Sequence, residues 1–127
     1  MGMQGFTLIE VLIAIAVFSI GILAVSAMQM TSVKGNASAR RITEATALAE
    51  NRIERLLELP YDHNDLNPDP ALNPHQATSG PYEIDWTVTD TDLDSDGTND
   101  SKTVSVTVNW TYKGDRKVSI QHIILDL

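Results

Sequence analysis

Asp92, Asp94 and Asp96 stand at alternate positions and are followed at once by Gly97. Alternate carboxylates can converge on one hard cation, and the glycine permits the sharp turn that such wrapping needs. The Thr98 carbonyl and Asp100 would complete the inner half of a calcium loop. Thr103 stands where an EF-hand places its bidentate glutamate, so the expectation is a weak Ca²⁺ site capping a hairpin, with a solvated acidic turn as the alternative. Other chemistry is sparse. His63, His75 and His122 have no second histidine at helical or hairpin spacing, and there is no nucleophile elbow, phosphate-cradling glycine loop or paired catalytic carboxylate. The sequence therefore predicts no active site, no enzymatic activity and no cofactor beyond that cation.

One further carboxylate stands out by its surroundings. Glu10 is the only charged side chain among residues 1–33, and residues 11–28 carry no charge at all. That run reaches the lower limit for a membrane-spanning helix and exceeds the apolar core of most secretory signals. A cleaved signal peptide would require basic residues before the run. Residues 1–5 contain none, although Ala24-Val25-Ser26 could serve as a cleavage site. A plain anchor gives no reason for a carboxylate near its start, since an ionisable group within a membrane costs roughly 2.5–3.5 kcal/mol at the helix centre. Glu10 needs a partner.

The rest of the charge lies elsewhere. Nine Lys and Arg face 17 Asp and Glu in a chain of 127 residues, a net charge of −8, which leaves no electrostatic footprint for nucleic acid. The absence of cysteine excludes disulfides and thiolate metal sites. The acidic excess falls in residues 60–127, so the chain divides into an apolar beginning and a polar, single-domain remainder.

These side chains need elements to position them. No proline occurs in residues 6–59, and Gly21 and Gly35 are the only glycines there, so one helix of up to ~80 Å is expected. Its second half is amphipathic: Ile42, Ala45, Ala49, Ile53 and Leu56 follow three-four spacing, with Leu48 and Leu57 widening the stripe. Pro60 ends it. Residues 60–81 hold all five prolines and no apolar periodicity, and read as a loop. The period then changes to two. Tyr82, Ile84, Trp86 and Val88 form one half-buried strand, and Val104, Val106, Val108, Trp110 and Tyr112 a second. Lys113-Gly114-Asp115-Arg116 turns into a third over residues 118–125. The fold class expected is α+β, a long helix packed by its amphipathic half on a three- to four-stranded antiparallel sheet.

Gly5-Phe6-Thr7-Leu8-Ile9-Glu10, followed by Val11-Leu12-Ile13-Ala14, resembles the processing and methylation motif of type IV pilins and pseudopilins. The resemblance implies a leader of residues 1–5, cut after Gly5 by a prepilin peptidase that methylates the new amino terminus of Phe6. It further implies a transmembrane, filament-core half-helix of residues 6–30, an amphipathic half-helix of residues 31–59, and residues 60–127 completing one globular domain with it. Cleavage would place a cationic amine in the same apolar layer as Glu10, where the amine of a neighbouring subunit could neutralise it; a buried pair of this kind fixes register more than it adds stability. The implied partners are other pilin or pseudopilin subunits, the peptidase and inner-membrane lipid. The implied location is the bacterial inner membrane, single-pass with a periplasmic carboxy-terminal domain, and then the pilus outside the cell. The leader lacks the usual Lys or Arg, and Lys34, Arg40 and Arg41 lie beyond the apolar run. The motif outweighs that charge count because large domains translocate largely regardless of charge. Phe18-Ser19-Ile20-Gly21-Ile22-Leu23 and the two last strands look like minor pilins of the PilV type, while Ala49-Glu50-Asn51-Arg52 looks like the minor pseudopilin I of type II secretion. A membrane-tethered calcium-binding adhesin or enzyme domain is the expectation from another class.

Overall fold

A computed structural model describes residues 5–92 and 99–125 of the chain. Helix α1 (Leu8–Leu57) leads through a 3₁₀ turn at Asn64–Leu66 to four strands, β1 (His75–Ser79), β2 (Tyr82–Thr91), β3 (Ser101–Thr111) and β4 (Asp115–Leu125). The strands pair antiparallel in the order β1-β2-β3-β4, each beside its neighbour in sequence. By its contacts the chain divides into two compact units, Met1–Ala39 and Arg40–Leu127.

In the first unit residues 11–28 of the helix are apolar on every face apart from two serines. Its large side chains from Leu8 to Val33 are exposed, and the stretch is long and apolar enough to cross a membrane. Hydrocarbon offers no partner to a polar group, so hydroxyls there must be satisfied within the helix. Ser19 Oγ donates to the Ile15 carbonyl at 2.7 Å, Ser26 Oγ to Ile22 at 2.9 Å and Thr31 Oγ1 to Ala27 at 3.2 Å.

The second unit holds the core. Ala45, Ala49, Ile53 and Leu56 of α1 are buried together with Tyr82, Ile84, Trp86, Val88, Val104, Val106, Val108 and Trp110. Two alanines one turn apart let the helix backbone come close to the sheet, and the period-two alternation of β2 and β3 sends one side of each strand to it. Ile42 and Leu57, expected in the same stripe, are 48% and 42% exposed, since they lie at the margins of the face that the sheet covers. The hairpin between β1 and β2 has a two-residue loop in which Gly80 takes a φ of 59°, a conformation that favours glycine. Lys113 and Gly114 also have positive φ at the turn into β4.

The reading of residues 60–81 as a loop requires correction, because β1 lies inside it. Only Ala77 and His75 of that strand are half-buried, so its sequence carries no apolar alternation; backbone pairing to β2 holds it as an edge strand. Asn73 extends the pairing with its side chain, donating from Nδ2 to the Val88 carbonyl and accepting the Val88 N–H at Oδ1, both at 3.1 Å. Trp86 ties this segment to the rest. Its Nε1 donates to the Asp65 carbonyl at 3.0 Å, His75 stacks on its ring at 5.3 Å, and the Arg52 guanidinium covers it at 4.4 Å.

A second polar joint connects helix and sheet. Tyr82 Oη donates to Glu44 Oε2 at 2.7 Å, while Glu44 Oε1 accepts from Arg40 Nε at 2.9 Å. The Tyr82 bond, and then the Arg40 bond, hold the Glu44 carboxyl below its ordinary value of 4.5. Burial, and then the same carboxylate, raise the Tyr82 hydroxyl above 10.0. A depressed carboxylate stabilises the fold above its unfolded pKa and loses that contribution as pH falls through the folded value; a raised phenol loses its contribution as pH rises through its own folded value. Tyr82→Phe should therefore lower stability most between about pH 5 and pH 9, with the deficit shrinking towards pH 3. Urea unfolding at pH 7 and pH 3 measures this, and an equal deficit at both would contradict it.

Candidate functional site

Gly5 and Phe6 lie outside regular structure, ahead of the first turn of α1, and both are exposed. A Cβ added at Gly5 would meet nothing within 4 Å. Among the described residues the fold therefore makes no demand for glycine at that position. Phe6 is 83% exposed. The Gly5–Phe6 bond thus lies in a non-helical, open stretch.

Thr7 starts the helix. The Glu10 N–H reaches the Thr7 carbonyl at 3.1 Å and Thr7 Oγ1 at 3.4 Å, and the Val11 N–H reaches the Thr7 carbonyl at 3.2 Å. With Thr7 at the cap, Glu10 falls in the first helical turn, where the unpaired amides and the helix dipole favour a negative charge. Thr7-Leu8-Ile9-Glu10 has the spacing of a capping box. This local role for Glu10 was missed by reading its charge only against a neighbouring subunit, although the threonine three residues before the glutamate was available to signal it. The two roles are compatible, since a helix terminus lowers the cost of holding the carboxylate in an apolar layer and leaves its outer side exposed. Phe6, Glu10, Val11, Ala14, Ile15 and Phe18 line one open groove on the helix, an apolar face with one carboxylate in it.

Of the expected calcium ligands, Asp94, Asp96 and Thr98 lie outside the described residues, and Asp92 and Asp100 flank them. Among the described residues no group of three or more His, Asp or Glu is placed to hold a metal ion. At the base of this connection Asp90 Oδ2 accepts from Asn99 Nδ2 at 3.4 Å, and Asp90 faces Lys102 across the β2–β3 ladder. Lys102 is buried, with Nζ donating to the Tyr61 carbonyl at 2.6 Å and lying 4.2 Å from the Tyr61 ring. A buried cation at this position had no signal in the sequence, because Lys102 occupies the mouth of a strand whose alternation begins only at Val104.

The histidines are used separately. His63 caps the 3₁₀ turn by accepting the Asp65 N–H at 3.1 Å, His75 stacks on Trp86, and His122 is exposed on β4.

Residues 1–26 match the family model described as the prokaryotic N-terminal methylation motif. No curated protein and no solved structure matches the chain.

Two measurements test the site. Thr7→Val should remove the side-chain cap, weaken the first turn by about 1 kcal/mol and speed amide exchange at Leu8 to Glu10 in detergent, leaving the sheet unchanged. For the acidic connection, a cation that binds only the folded chain must raise the melting temperature. The rise should appear in millimolar Ca²⁺ and vanish in the Asp94→Asn, Asp96→Asn double variant; equal shifts in both proteins would reduce it to charge screening.

The methylation motif, with the exposed Gly5–Phe6 bond inside it, and the apolar helix, followed by a helix-on-sheet domain, support a type IV pilin-like protein.

Proposed function

We propose that this protein is a minor structural subunit of a type IV pilus, held in the inner membrane by the apolar half of α1, processed after Gly5 and packed into the filament or priming it. The observation that carries the reading is the placement of Gly5, Phe6 and Glu10: an open bond, an aromatic residue that becomes the new terminus, and a carboxylate in the first turn of a helix that carries no other charge before Lys34. Cleavage turns Phe6 into a cation one residue before the cap, and that charge on a neighbouring copy offset along the axis is the partner Glu10 requires. Prepilin peptidase and other pilin subunits are the corresponding partners. The resemblance to minor pilins of the PilV type favours the pilus. The runner-up, the minor pseudopilin I of type II secretion, rests on Ala49-Glu50-Asn51-Arg52, and there Arg52 already has a structural use over Trp86.

Mass spectrometry of protein from its native membrane should find a chain beginning at N-methylated Phe6. An intact Met1 terminus, or a cut near Ser26, would overturn the reading. Glu10→Ala should leave the chain folded and inserted, since it removes a charge that is costly in lipid, yet prevent its entry into filaments. Incorporation of that variant at the wild-type level would remove the pairing argument.

A further inference from the structure

In its second half α1 carries its exposed charges on two different flanks. Glu50 and Glu54 of α1 and Glu58, one residue past its end with its N–H on the Glu54 carbonyl at 3.2 Å, recur every four residues and are all exposed, so their side chains follow one another along one side. Leu48, Asn51, Arg52 and Arg55, at spacings of three and four, occupy the adjoining side, centred about 110° away at 100° per residue. There, with Thr78 and Ser79 of β1 and Ile84 of β2, they line an open cleft of about 290 Å³. The cleft contains two guanidinium groups, an amide and two hydroxyls, but no carboxylate.

None of Glu50, Glu54, Glu58 and Arg55 has an ion pair among the described residues. Arg40 and Glu44, by contrast, do pair at four-residue spacing. Like charges one turn apart repel, so a row of three glutamates is unfavourable on an isolated helix and is relieved by a counter-charge from outside it. The Arg flank has the complementary need. Arg52 lies over Trp86, which holds the floor of the cleft in place, while Arg55 is exposed and available to a carboxylate. The outer edge of β1 has no partner strand among the described residues, so nothing in that sheet closes the cleft from the side.

We propose that the cleft of Arg52 and Arg55 receives the Glu50, Glu54 and Glu58 stripe of a second copy of this chain, the two helices lying side by side. The argument is charge complementarity in a chain of net charge −8, where two copies repel over most of their surface and attract where this cleft meets the stripe. Different patches meet, so each pair leaves one stripe and one cleft unused. A contact of this heterologous kind propagates into a ring or a helical array instead of closing as a dimer. The inference rests on the filament-subunit reading and adds to it a lateral contact outside the membrane.

The chain has no cysteine, which allows disulfide trapping without background. Leu57 is exposed beside Glu50 and Glu54, on the side of the helix away from the cleft, and Thr78 of β1 lines the cleft. Full-length protein purified from its native membrane is prepared as two pools, Leu57→Cys and Thr78→Cys, mixed in detergent micelles and oxidised. The mixed disulfide should exceed both like disulfides. Arg55→Glu or Glu54→Arg added to both pools should reduce it by about tenfold, the equivalent of ~1.4 kcal/mol, and the two together should restore it, because the swapped charges again face each other. Statistical proportions of the three disulfides, or failure of the double variant to recover, would overturn the proposal, as would trapping of the native chain only to a different subunit. The amino-terminal mass of the same preparation reports separately on the pilin reading: a chain processed at Gly5 with statistical trapping keeps that reading and loses this interface.

Discussion

Peptide groups in a hydrocarbon layer have no water to bond, so a single segment that enters one must satisfy its N–H and C=O groups as a helix. The other features of this chain depend on that constraint. Residues 8–33 supply apolar side chains on every face, and the hydroxyls of Ser19, Ser26 and Thr31 fold back onto carbonyls four residues earlier. The Glu10 carboxylate has no proton to donate in this way when ionised, and it lies in the first turn, where the helix itself offers positive potential. Moved to the middle of the run, the same carboxylate would have no local compensation.

The helix continues into water without a proline to stop it, and there it changes its mode of stabilisation. Ala45, Ala49, Ile53 and Leu56 turn one face to the sheet, and full burial of an aliphatic side chain such as Val106 or Val108 contributes about 1.5–3 kcal/mol. The polar bonds at this boundary do something different. Glu44 to Tyr82 fixes the helix against the start of β2, and the Trp86 indole gathers the 3₁₀ segment, the edge strand and the helix through Asp65, His75 and Arg52. A long, proline-rich connection can therefore be ordered with few apolar residues of its own, Leu66 being the buried one.

Charge is partitioned along the same lines. Arg41 and Arg52 spend their guanidinium groups on the faces of Tyr112 and Trp86, and Lys102 is taken up by Tyr61. These cations serve as covers for aromatic rings. The acidic excess is left largely at the surface, where net charge favours solubility.

Much of this was legible from local order alone. The Gly5-Phe6 and Glu10 motif, the uncharged run, the three-four spacing of residues 45–56 and the period-two alternation of β2 and β3 each report a repeating local environment, and periodicity records such environments directly in the chain. What the sequence could not disclose depends on a single partner far along it. Strand β1 has almost no apolar pattern and exists because β2 offers a free edge. Ile42 and Leu57 continue the helical stripe yet are exposed, because the stripe is wider than the face that the sheet covers. Arg52 reads as one more solvated charge until Trp86 is placed beneath it, and Lys102 as a surface residue until Tyr61 closes over it. The sequence by itself determined helix α1, strands β2, β3 and β4 and the apolar run long enough to cross a membrane, because those follow from neighbours within a turn or a pleat. Tertiary structure decided which charged and aromatic side chains are joined, because a pairwise contact between distant residues leaves no period in the sequence.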